Sequence, residues 1–205
     1  MRATAPFSQP VLDRNDFSGQ NLDGRNFSDR KDLHKANFTK ASLIATNFFN
    51  RNEMIGDYTW SIIRPTDLSE ANFTQANLER ANLTRTNLRG AVLREANLKG
   101  ANLSRADLEQ VDLEGANLLG ASLVKAKLFE ASCVEAVFDL TKLNGVNLTK
   151  ANLHKASLQG ADLSGANLTG TDLSNADLYR AKLTDANLTG ANLTGARMSD
   201  GTIHP

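Results

Sequence analysis

The sequence predicts an all-β solenoid, a chain wound into stacked coils whose short straight sides enclose one narrow core. Three observations predict it. From Leu68 to Met198 every fifth residue is Leu, with only Phe73, Cys133, Phe138 and Met198 as exceptions, so 27 successive positions hold one phase. Two residues earlier, 21 of those 27 positions are Ala and the other six Thr or Val, so a small side chain accompanies each large one. Between the two, 18 of 27 residues are Asn or Asp. Internal repetition of this kind is read first, because it fixes the architecture.

A helix does not accommodate this period. Steps of five advance the leucines by roughly 140° around a helix, so a few units scatter them over the whole cylinder. An unbroken strand fails as well, since five is odd and successive leucines would alternate between its faces. A coil in which each five-residue unit forms one side keeps every Leu and Ala inside. Residues two apart along a side point the same way, so Leu and the preceding Ala face inward and the rest face water. Asn, Asp and Gly suit the corners. Successive coils then stack at the interstrand spacing of about 4.8 Å. Ala is needed at the small position because a larger residue would overfill a narrow, close-packed core.

The stretch "ADLSGANLTGTDLSNADLYRAKLTDANLTGANLTG" (161–195) resembles the pentapeptide-repeat proteins, whose motif is A(D/N)LXX. The resemblance covers about Leu12 to Ile203. It implies a right-handed quadrilateral parallel β-helix with four repeats, hence 20 residues, per coil. Nine to ten coils would make a rod about 45 Å long at strand spacing.

The elements follow in chain order. Leu12, Phe17, Leu22 and Phe27 lie one residue out of phase with the main array, so an extra residue sits near "SDRKD" (28–32). In this first coil the small inward position is occupied by Asn15, Gln20 and Arg25, which do not pack regularly inside. Residues 1–30 are therefore expected to form a divergent end coil that shields the core, as stacked arrays require. Residues 31–205 form the main β-helix, interrupted at 49–65 ("FNRNEMIGDYTWSIIRP"), which has the only Trp and loses the motif. That segment is either an irregular coil or a loop folded onto the side of the rod, with Trp60 a packing anchor or an aromatic contact site. At the far end Ile203 keeps the phase, and Pro205 cannot donate to a further strand.

Composition excludes several functions. Lys plus Arg and Asp plus Glu are both 23, so no net field attracts nucleic acid or an anionic membrane, and direct nucleic-acid binding is not expected. No Cys/His cluster has metal-ligand spacing, and no metal or cofactor is expected. "MRATAPFSQPVLDR" contains no apolar signal region, and no run reaches membrane-spanning length. The expectation is a soluble, cytoplasmic protein without membrane contact; a chain already stripped of a targeting peptide would read the same. His34, His154 and His204 lie in different coils with no plausible Ser or Cys nucleophile near them in sequence, and Cys133 occupies a core position. No enzyme is expected.

Two candidate contact surfaces remain. Leu119, Val124, Phe129 and Val134 follow four consecutive inward residues, so with Val137 and Leu140 they should ring one coil as an outward apolar belt. This belt is a candidate surface for a protein partner or for weak self-association. Counting charge by columns 20 residues apart gives the second. The side holding Leu83, Leu103 and Leu123 carries Arg85, Arg105, Lys125, Lys142 and Lys182 against Asp162 and Asp185, a net +3. The opposite side carries Glu95, Asp112, Glu114, Glu135 and Asp172 against Arg94 and Lys155, a net −3. Arg85, Arg105 and Lys125 would stack as a basic ladder facing an anion or an acidic partner. The expected function is a non-catalytic binding or scaffold protein of bacterial pentapeptide-repeat type, its protein partner unidentified. The alternative is the branch of that family that mimics DNA and modulates DNA gyrase, which calls for a strongly anionic rod.

Overall fold

The computed structural model describes residues 15–28, 30, 32–49 and 65–205. Parallel bridges recur every five residues and connect residues 20 apart: Asp67 with Asn87, Asn72 with Val92, Asn77 with Asn97 and Asn82 with Asn102. Four sides therefore complete one turn, and the next turn lies directly above. In the coil 66–85 the first side is 66–70, the second 71–75, the third 76–80 and the fourth 81–85, and every later coil repeats this at steps of 20. Each side contributes one bridging residue to the ladder.

The corners explain why the period is five. The carbonyl of each inward Leu accepts the N–H of the residue three further on, as in Ala71 N to Leu68 O at 3.1 Å. The residue two after the Leu has a left-handed backbone, with φ near +56° at Glu70 and Arg80 and +63° at Gly90. A four-residue turn with positive φ at its third position alone is a type II turn. The Asn or Asp before the Leu is more than a tolerant turn residue. Its side-chain oxygen accepts the N–H two residues on, as in Thr74 N to Asn72 Oδ1 at 2.9 Å. These amides also bond from coil to coil, Asn97 to Asn77 at 2.9 Å and Asn82 to Asn47 at 3.1 Å.

Inward Leu and Ala side chains are buried from Leu33 through Ala181, while Leu183, Leu188, Leu193 and Met198 near the far end are half-buried. Where Thr replaces the inward Ala, its hydroxyl is satisfied within the core. Thr141 donates to Leu118 O and Thr171 to Leu148 O, both at 2.8 Å. The early coils are packed by aromatics. Phe17 stacks on Phe38 and Phe38 on Phe73, each with centroids 4.8 Å apart, and Phe27 stacks on Phe48 at 5.0 Å. Burial of each large side chain contributes roughly 1.5–3 kcal/mol against the entropy of ordering the chain.

Both irregularities in phase are visible as changes in pairing step. Asp16, Asn21 and Asn26 pair with residues 21 further on, one more than the regular step, so the extra residue falls at the corner before Asp32. Gln20 and Arg25 are exposed and do not enter the core. Asp32 pairs with Asp67 and Asn47 with Asn82, a step of 35. The coils on either side of residues 50–64 thus pair directly with each other. Trp60 and most of the interrupting segment, like Leu12, fall outside the described residues. Ile203 corrects the sequence reading: it does not continue the array. The chain reverses after Asp200, Ile203 pairs antiparallel with Arg197, and its side chain is largely exposed.

Candidate binding surfaces

The apolar residues picked out by sequence all point outward, but they do not form one patch. Val124 lies on the fourth side, Phe129 on the first and Val134 on the second, each half-buried and about a quarter-turn from the next. Lys150 lies over the Phe129 ring, its Nζ 5.7 Å from the centroid. Only Leu119, Val137 and Leu140 share a side, the third. Of these Leu119 is 37% and Leu140 66% exposed.

There the surface is indented. Leu119, Asp139, Leu140, Gln159, Gly160, Tyr179 and Arg180 line a notch of about 300 Å³. Its shape follows from two adjacent columns at 20-residue spacing. One runs Leu119–Asp139–Gln159–Tyr179 along the face; the other runs Gly120–Leu140–Gly160–Arg180 along the corner. Glycines on either side of Leu140 leave its side chain unflanked. The polar residues are held in place: Asp139 accepts Gln159 N at 3.0 Å, and Gln159 Nε2 donates to Asp177 at 2.9 Å. At one end Arg180 and Arg197 lie against the Tyr179 ring, at 5.0 and 4.2 Å from its centroid. Arg197 is paired with Asp177 at 3.6 Å, whereas Arg180 has no carboxylate partner among the described residues. The lining residues Tyr179 and Arg180 were missed by sequence reasoning, although the column arithmetic applied there to charges would have placed them beside Leu119 and Leu140.

The two charged sides differ more than their net charges suggest. On the acidic second side, Arg94 bonds Asp112 at 3.0 Å and pairs with Glu114, Lys155 pairs with Glu135 at 3.4 Å, and Gln75 donates to Glu95 at 2.8 Å. On the basic fourth side, Arg85, Arg105 and Lys125 are exposed at successive levels of one corner column. None of the three has an ion pair among the described residues.

Stacking also brings together residues that are distant in sequence. His34 Nδ1 is 3.0 Å from Ser69 Oγ and His154 Nδ1 is 2.7 Å from Ser174 Oγ. The expectation that no plausible serine nucleophile lies near a histidine in sequence therefore does not settle their proximity in three dimensions. Asp172, however, accepts the Ser174 N–H at 2.9 Å and bonds the same hydroxyl, so it does not orient the imidazole. That is not the acid–base relay of a nucleophilic site. Cys133 is fully buried, and burial pushes its thiol far above the ordinary range, with Asp112 adding to the shift. Among the described residues no cluster of His, Cys, Asp or Glu could hold a metal ion, and no helix is long and apolar enough to cross a membrane.

A four-sided stack of type II corners around an axis mostly of Ala and Leu defines a repeat solenoid. The chain belongs to the pentapeptide repeat family. The family model, in eight copies, matches residues 66–105, 91–128, 106–144, 131–170 and 161–200. Among solved structures, HetL, a pentapeptide repeat protein involved in heterocyst differentiation regulation from the cyanobacterium Nostoc, is 33% identical. That match covers 92% of this chain and 91% of HetL, with a TM-score of 0.54. The plasmid-mediated fluoroquinolone resistance protein QnrB1 shares the fold at 18% identity, covering 88% of this chain and 90% of QnrB1 with a TM-score of 0.65. No curated protein sequence matches the chain.

Proposed function

We propose that the protein is a non-catalytic binding module that captures a protein partner through the notch on its third side. The family resemblance implies a right-handed β-helical rod of bacterial type, and a cytoplasmic location is the expectation drawn from the sequence. The observation that carries the reading is Leu140. It holds a left-handed corner with φ +56°, a conformation that disfavours any L-residue by about 1–2 kcal/mol. The other non-glycine residues in that conformation among the described residues are charged or amide-bearing, apart from Ala45. A branched apolar side chain, strained and two-thirds exposed, gains little for the fold and offers contact area to a partner.

The test is affinity capture from the native cell, comparing wild type with Leu140→Glu and identifying bound proteins by mass spectrometry. A partner retained by wild type and by Thr149→Lys but lost by Leu140→Glu supports the reading. Identical capture by all three baits overturns it.

Modulation of DNA gyrase is a second reading, supported by the fold shared with QnrB1, a fluoroquinolone resistance protein. Inhibition or protection of gyrase in a supercoiling assay would favour it, and an inert protein would remove it.

A further inference from the structure

Long side chains at successive levels of this rod are matched vertically. Lys35 stacks with Glu70 at 3.3 Å, Glu130 with Lys150 at 3.9 Å and Glu135 with Lys155 at 3.4 Å. Arg89 is paired with Glu109 and Arg94 with Glu114. At two levels the partner is an amide donating to a carboxylate, from Gln75 to Glu95 and from Gln110 to Glu130. The rule is physical: residues 20 apart sit about one strand spacing from each other, so like charges there repel and opposite charges attract.

One column breaks it. Arg85, Arg105 and Lys125 are three cations at consecutive levels of the corner after the fourth side, the first two with φ +58° and +60° and the third with +56°. Above Lys125 the column continues with Gly145, whose missing Cβ leaves space occupied by the lysine stem, 3.5 Å from where that Cβ would be. No described carboxylate neutralises them, and the flanking row of Thr84, Ser104 and Val124 bears no charge.

We infer that this corner is the docking track for an extended acidic segment of a partner polypeptide, running along the rod with Asp or Glu at alternate positions. Three cations span two levels, about 9.6 Å. In an extended chain alternate side chains lie about 6.8 Å apart on one side, so two carboxylates and their neighbours cover the track, and each arginine can grip a carboxylate bidentately. A nucleic-acid duplex fits less well. It presents a negative charge about every 1.7 Å along its axis, far more than the net +3 of this side balances. The inference rests on the binding-module reading, but it concerns a different side of the rod from the notch.

The test is fluorescence anisotropy with a fluorescein-labelled ten-residue peptide of alternating glutamate and alanine. Wild type should bind it, more weakly as salt rises. Replacing Arg85, Arg105 and Lys125 together by Gln should weaken binding at least tenfold. Replacing Lys40, Lys99 and Lys150 by Gln removes as much charge from the other three sides and should leave binding within about twofold. Leu140→Glu should bind the peptide as wild type does, which separates failure of the track from failure of the notch. Equal weakening by the two triple variants, absence of binding, or tighter binding of a ten-nucleotide single-stranded DNA than of the peptide would overturn the inference.

Discussion

The side chain of Leu140 lies across Gly160 in the next coil, its Cδ2 3.0 Å from the point where a Cβ on residue 160 would sit. The two residues are coupled: the leucine occupies its exposed position because the glycine leaves the corner open. Gly160→Ala would meet both the leucine and a backbone at φ +63°, and should cost about 1–2 kcal/mol while turning Leu140 out of the notch. Leu140→Gly should do the opposite. Relief of the left-handed strain, about 1–2 kcal/mol, exceeds the added entropy of an unfolded glycine, about 0.5–1 kcal/mol, so the melting temperature should rise as partner capture falls. A Leu140→Gly protein that melts lower than wild type would contradict this.

Arg94 and Arg105 are both exposed, on opposite sides of the rod, with opposite surroundings. Arg94 is held between Asp112 and Glu114, whereas Arg105 stands between two other cations. Arg94→Gln should therefore lower stability, by no more than about 1 kcal/mol because the pairs face solvent. Arg105→Gln should leave stability unchanged or raise it by a few tenths of a kcal/mol. Urea denaturation at low ionic strength measures the difference, and added salt should shrink it.

Leu148 is buried and Thr149, the next residue, faces outward. A lysine at position 148 would place an unpaired charge in the axis, a penalty of several kcal/mol. Leu148→Lys should lose its far-UV circular dichroism and its resistance to proteolysis. Thr149→Lys forfeits the Thr149 hydroxyl bond to Asn147 and should change the unfolding free energy by about 0.5 kcal/mol or less.

Asp162 gives the rod an acid-sensitive point. Hydrogen bonds from the side chains of Ser164 and Asn144 and from the Ser164 N–H, with Lys182 nearby, hold its carboxyl below the ordinary range. The folded state thus binds its proton less readily than the unfolded chain, whose value is about 3.9. The stabilisation is complete above that value and is lost as pH falls through the lower folded one. Chemical denaturation followed from pH 6 to pH 3 should show stability falling, and Asp162→Asn should flatten that slope. An unchanged slope in the variant would remove Asp162 from the account.

The axis of this protein was legible because it admits few departures from one large and one small side chain per unit. One large and one small inward residue per side left a five-residue beat that fits neither helix nor strand, and the buried Leu and Ala follow it almost throughout. Two features were less visible. The corner hydrogen bonds of Asn72 and its equivalents are made to a backbone N–H, which no side-chain pattern reports, so sequence showed the preference for Asn but not the bond. The notch depends on which outward residues coincide at 20-residue spacing. Leu119 and Leu140 stood out as outward apolar residues, but Tyr179 and Arg180 join them only once the columns are drawn. Ile203 was misread because keeping the phase is not enough: the chain must also continue around the axis, and after Asp200 it folds back.

The pairing step of 35 between the coils of Asn47 and Asn82 has a consequence for how such a molecule can change. Only the bridged sides must match their neighbours, so a corner is a splice point where chain length is free to vary without disturbing registry above or below. Fifteen residues beyond the regular 20 are already accommodated between Phe49 and Pro65, which makes that junction the natural place to graft a foreign recognition loop onto a stiff, ready-made frame.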